Sequence, residues 1–91
     1  MIRVEDVARE LNLQPPELLQ RSLLAFIQHE RRMAEWDMAD LCERYAARSA
    51  SELEQKIQAR QVASHPAWED MLEWQTLEQY LSRLSKLEQA G

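Results

Sequence analysis

Glycine occurs once in these 91 residues, at the last position, and proline only at positions 15, 16 and 66. A chain with so few turn formers cannot supply the hairpins of a multi-stranded sheet, so an all-α fold is the expectation. Pro16 suits the first turn of a helix, where its missing N–H costs nothing. From there to about Arg48 no glycine or proline intervenes, and leucine, alanine, glutamate, arginine and methionine dominate, all good helix formers. Unbroken, that helix would be about 48 Å long, at roughly 1.5 Å per residue.

Apolar spacing places the remaining elements. Val4, Val7, Ala8 and Leu11 follow the i, i+3, i+4, i+7 rule and predict a short helix over 4–11, ended by Asn12 to Pro16. Two apolar stripes run along the long helix: Leu19, Leu23, Phe26 and Met33, and Leu24, Ile27, Ala34, Met38, Leu41 and Tyr45. The polar run Gln28-His29-Glu30-Arg31-Arg32 lies between them, so the helix either bends there or runs straight and pairs with another chain. Ser49 with Glu52, or Ser51 with Glu54, has the spacing of a capping box and starts a helix over about 51–60, held by Leu53 and Ile57. A loop over 61–65 with one apolar plug, Val62, precedes a C-terminal helix over 66–89. Its main stripe is Ala67, Met71, Trp74, Leu77, Leu81 and Leu84, and Glu69, Asp70 and Glu73 complement the positive end of its dipole. The expected architecture is a single all-α domain over 1–91, with four helices (short, long, short, long) forming a small bundle with one long helix. Its core is expected from Leu23, Phe26, Ile27, Leu41, Tyr45, Leu53, Met71, Trp74, Leu77, Leu81 and Leu84.

Composition narrows the function. Hydrophobic residues are 45% and charged residues 30% of the chain, which fits neither a disordered tail nor a membrane protein. No apolar run approaches the roughly 20 residues that span a bilayer. The start, Met1-Ile2-Arg3-Val4-Glu5-Asp6, has no apolar signal region, and the single cysteine, Cys42, gives no internal disulfide, so a cytoplasmic location is expected. A net charge of −5 is a poor start for nonspecific nucleic-acid binding and suits solubility or a basic protein partner.

Reactive chemistry is sparse. Phosphate-cradling glycine loops are absent, and Cys42 lies mid-helix beside Leu41, the setting of a buried structural thiol. His29-Glu30 opens like a zinc-protease helix, but the second histidine would fall at Met33. The acids Glu35, Asp37, Asp40 and Glu43 read as a solvated face with intrahelical pairs such as Asp40 to Arg44. No catalytic, cofactor or metal residue is assigned, and an enzyme is not expected.

Two resemblances bear on function. The opening Val4-Glu5-Asp6-Val7-Ala8-Arg9-Glu10-Leu11-Asn12-Leu13, continuing to Leu18 and Leu19, resembles a helix-turn-helix opening (residues 1–24) of DNA-binding regulators and of the N-terminal module of bacterial translation initiation factor 2. It implies Val7, Ala8 and Leu11 packed on Leu18 and Leu19, with DNA as a partner; Gln20 and Arg21 alone offer a reading surface. Over most of the chain, Tyr45-Ala46-Ala47-Arg48-Ser49-Ala50-Ser51-Glu52-Leu53, a spacer, then Trp68-Glu69-Asp70-Met71-Leu72-Glu73-Trp74 resembles the small helical prokaryotic antitoxin-like proteins. That implies direct contact with a cognate toxin encoded by a neighbouring gene, often a nuclease. The chain departs from the pattern at Ala46-Ala47-Arg48, where a glycine-containing turn is usual.

The three tryptophans divide. Trp74 shares the main stripe and is expected inside. Trp68 lies off it, where Glu69, Asp70 and Glu73 would form an acidic rim around an aromatic anchor. Trp36 lies off both stripes of the long helix and favours association, with a partner or as a homodimer. The expected partner-binding residues are therefore Trp36, Trp68, Glu69, Asp70 and Glu73. The alternative is a DNA-binding regulator that uses the first two helices.

Overall fold

A computed structural model describes residues 1–90 of the chain. Helix α1 spans Val4–Glu10, α2 Pro15–Tyr45, α3 Ala50–Gln58 and α4 Ser64–Ala90, and no strand occurs among the described residues. The fold is all-helical, but it is not a compact bundle. It measures 59 × 26 × 17 Å, because α2 and α4 lie antiparallel as a long hairpin and α3 covers only one end of it.

That end holds the core. Leu41, Ala47, Ala50, Leu53, Ala67, Met71 and Trp74 form one buried cluster, with Met38, Cys42, Tyr45, Ile57, Val62 and Leu77 packed around it. Every fully buried residue among those described is apolar. Small side chains explain the closeness: Ala47, Ala50 and Ala67 let the backbones of three elements approach around the Trp74 indole, which is wholly inaccessible to solvent. Of the other expected core positions, Leu84 is buried, and Ile27, Tyr45, Leu77 and Leu81 are half-buried.

Leu23 and Phe26 depart from the expectation. They are 52% and 58% exposed, because α3 packs only at the far end of the hairpin and α4 reaches this end only with its last residues. Their stripe is apolar without being interior.

α2 is one uninterrupted helix of 31 residues. The polar run at its centre leaves it continuous, and two of its five residues, Glu30 and Arg31, are half-buried against α4. Glu30 accepts a hydrogen bond from the Tyr80 hydroxyl, and Arg31 donates to Ser85 Oγ at 3.2 Å and pairs with Glu88 at 2.9 Å. The polar run is thus the seam that ties the far half of α4 to α2. The helix ends at Tyr45, three residues before Arg48, because Ala46 takes the left-handed conformation with φ 50° and ψ 42°. Asn12 and Arg60 end α1 and α3 in the same way, with φ of 56° and 59°. A chain without internal glycine closes all three turns on residues that carry a Cβ, at a steric cost of roughly 1 kcal/mol each.

The caps interlock the core end. Ser49 caps α3 by accepting from the Glu52 N–H at 3.1 Å. The neighbouring free N–H, on Ala50, donates to Glu78 of α4 at 3.2 Å, so a carboxylate from another helix contributes to the cap. In return, Lys56 of α3 donates to the Tyr45 and Ala46 carbonyls at 2.9 and 2.7 Å, closing the C-terminus of α2. In α4, His65 is extended (φ −116°, ψ 128°), so the regular helix starts at Pro66 as its sequence suggests.

Candidate protein-binding surfaces

α2 and α4 meet at a cluster of charges beside the core. Asp70 Oδ2 accepts from Arg44 at 3.0 Å and from the Tyr45 hydroxyl, while the other Arg44 nitrogen pairs with Asp40. The Arg44 guanidinium is held above its ordinary pKa, first by the hydrogen bond to Asp70 and then by the charge of Asp40. Burial, and then the bond to Asp70, raise the Tyr45 phenol above its usual value. Asp70 is only 15% exposed at its side chain and is fully engaged with α2. It belongs to the helix junction rather than to the acidic rim expected of it.

Its neighbours do face outward. Trp68 and Leu72, one turn apart on α4, are each 45% exposed, about a third of a turn round the helix from the buried Ala67, Met71 and Trp74. Glu69 and Glu73 are exposed beside them, and Glu69 Oε1 accepts a hydrogen bond from His65 Nδ1 at 2.8 Å. Four of the five expected partner residues thus lie at one place on the chain, and three of them form an open surface. Trp36 is 69% exposed, but half a helical turn separates it from Ala34 and Met38, which face α4. The two exposed tryptophans therefore point away from each other and make no joint site.

A second apolar surface lies at the opposite end of the rod. Leu23, Leu24 and Ile27 of α2, with Leu87 and Ala90 of α4, line an open groove of about 800 Å³ edged by Gln20, Arg21 and Glu88. α1 rests against the start of α2 through Ala8, which is buried, with Val7 and Leu18 half-buried, whereas Leu11 and Leu19 stay exposed. The face of α2 that a DNA-reading helix would present is thus largely Leu19, Leu23 and Phe26. Arg21 is already paired with Glu17 at 2.8 Å.

Among the described residues no group of three or more His, Cys, Asp or Glu side chains is placed to hold a metal ion. No helix there is long and apolar enough to cross a membrane. Cys42 is a free, half-buried thiol packed against the core.

A protein-family model described as the uncharacterized protein MJ0235 family matches residues 1–89. The chain belongs to that family. The MJ0235 match runs through α1, α2, α3 and nearly all of α4, so the family is defined on the whole hairpin, exposed apolar end included. No curated protein and no solved structure matches the chain.

Sequence spacing did not point to Glu78, Lys56, Glu30 or Tyr80, the polar residues that hold the helices together. Their partners lie 28, 11 and 50 positions away, beyond the reach of any local motif. The one local hint is Lys56, a cation in the last turn of a short helix.

Proposed function

We propose that the protein is a non-enzymatic binding module of the antitoxin-like kind, which neutralises a basic partner protein by direct contact. Its contact surface is the outward face at the start of α4: Trp68 and Leu72, flanked by Glu69 and Glu73. The observation that carries this is the exposure of Trp68 immediately outside the best-packed part of the molecule. There the helix bearing it is held by the buried Met71 and Trp74 and by the Asp70 junction beside them. An aromatic anchor on a rigid support loses little freedom on binding, and such residues dominate interface energies.

Charge supports a basic partner. Residues 34–91 contain eleven acidic and six basic side chains and so hold the entire net charge of −5. A surface of that sign steers a cationic groove toward the aromatic anchor and repels phosphate backbones. The toxin class comes only from the resemblance to antitoxin-like proteins.

Co-expression with the product of the neighbouring gene, followed by affinity purification and calorimetry, tests the proposal. A complex weakened at least tenfold by Trp68→Ala, with the thermal melting of the free protein unchanged, is the expected result. A neighbouring product that does not bind, or that binds the Trp68→Ala protein as tightly as the natural one, overturns it.

A further inference from the structure

We infer that the apolar end opposite Trp68 is a self-association surface, and that two copies join there head to head through the first half of α2. Leu19, Leu23, Leu24, Phe26 and Leu87 are each 48–58% exposed. Together they leave roughly 500 Å² of apolar residue surface in water, more than isolated exposed side chains account for. With the polar edge of the groove, this approaches the ~800 Å² per partner of a standard-size interface.

Spacing fits a helix as occupant. Leu19, Leu23 and Phe26 follow the four-then-three step of a coiled-coil seam. The next seam position is Glu30, which is held by Tyr80, so the apolar contact is confined to the outer part of α2 and the overlap of two copies is short.

Charge selects a second copy as that occupant. Residues 1–33 contain five acidic and five basic side chains, a net charge of zero, whereas the rest of the chain carries −5. Two copies therefore repel least when they approach through this end. Arg21 at the edge of the groove and Glu17, one turn before it, supply both signs, as a two-fold interface needs when the same patch meets itself. The surface is separate from the Trp68 face, so failure of one proposal leaves the other standing.

Sedimentation equilibrium of the full chain is the test. The expected species has twice the 10.8 kDa mass of one chain. The Leu23→Glu/Phe26→Glu variant should sediment as a monomer with its far-ultraviolet helical signal intact, since both side chains are already exposed. Should that variant fail to fold, Leu19→Ser gives a milder reading and should raise the dimer dissociation constant several-fold. Trp68→Ala should dimerise normally. A natural protein that is monomeric into the millimolar range overturns the inference. So does a dimer indifferent to these α2 substitutions, or one abolished by Trp68→Ala.

Discussion

The Tyr45 hydroxyl at the last turn of α2 donates its hydrogen to Asp70 in the second turn of α4, and the same carboxylate oxygen accepts from Arg44. This single oxygen joins the two long helices where the connecting chain through α3 begins and ends. Replacing Asp70 by Asn keeps the shape but removes the charge that both donors use. We expect a loss of about 1 kcal/mol, the range for a partly solvated hydrogen bond, read as a lower urea midpoint at unchanged slope.

Alkali should test the same contact. Tyr45 and Tyr80 both have phenol pKa values raised in the folded state, Tyr45 by burial and then Asp70, Tyr80 by its bond to Glu30 and then burial. The folded protein therefore holds these protons more tightly than the unfolded chain. Their stabilisation is fully present below the ordinary phenol value of 10.0 and is lost as pH rises through the folded values. Urea midpoints should fall above pH 10. The fall should be shallower in Tyr45→Phe and Tyr80→Phe, and an equal slope in all three proteins contradicts the assignment.

Substitution of the tryptophans should separate folding from surface. Trp74 is wholly buried at the centre of the cluster, and Trp74→Ala should cost about 3–5 kcal/mol, enough to unfold a domain of this size. Trp36→Ala and Trp68→Ala should each change stability by well under 1 kcal/mol in the isolated chain. Acrylamide should quench the emission of Trp36 and Trp68 readily and leave a protected component from Trp74.

Ala46 offers a gain rather than a loss. Its left-handed backbone suits glycine, and its carbonyl and the Ala47 N–H keep their bonds when the Cβ is removed. Ala46→Gly should stabilise the protein by roughly 0.5–1 kcal/mol despite the added freedom of the unfolded chain, measured by chemical denaturation. A destabilised variant means that the turn has another requirement.

Much of the fold was legible because helices announce themselves locally. Missing glycine, proline positions, 3.6-residue spacing and the Ser49 cap place all the helical segments within a few residues of where they lie. The α4 stripe named its own buried residues, since Met71, Trp74 and Leu84 repeat on one face. What spacing could not show was coverage. Leu23 and Phe26 look as apolar in sequence as Leu41, and only the position of α3 decides that Leu41 is inside and they are not. The polar run around Glu30 and Arg31 posed the same difficulty in reverse, because its partners Tyr80, Ser85 and Glu88 are brought to it by the hairpin alone. At the candidate site, Trp68 off the stripe was readable as outward-facing. Asp70 was not readable as inward-facing, since its donors lie 25 and 26 residues upstream.

The elongated outline has a geometric consequence. With a length of 59 Å and the apolar groove and Trp68 at opposite ends, a head-to-head pair is a strut whose two tryptophan faces are separated by a distance approaching twice that length. Such an object holds two bound molecules apart. It gains avidity only from targets whose sites are spaced to match, because a rigid spacer of the wrong length contributes no effective concentration at all.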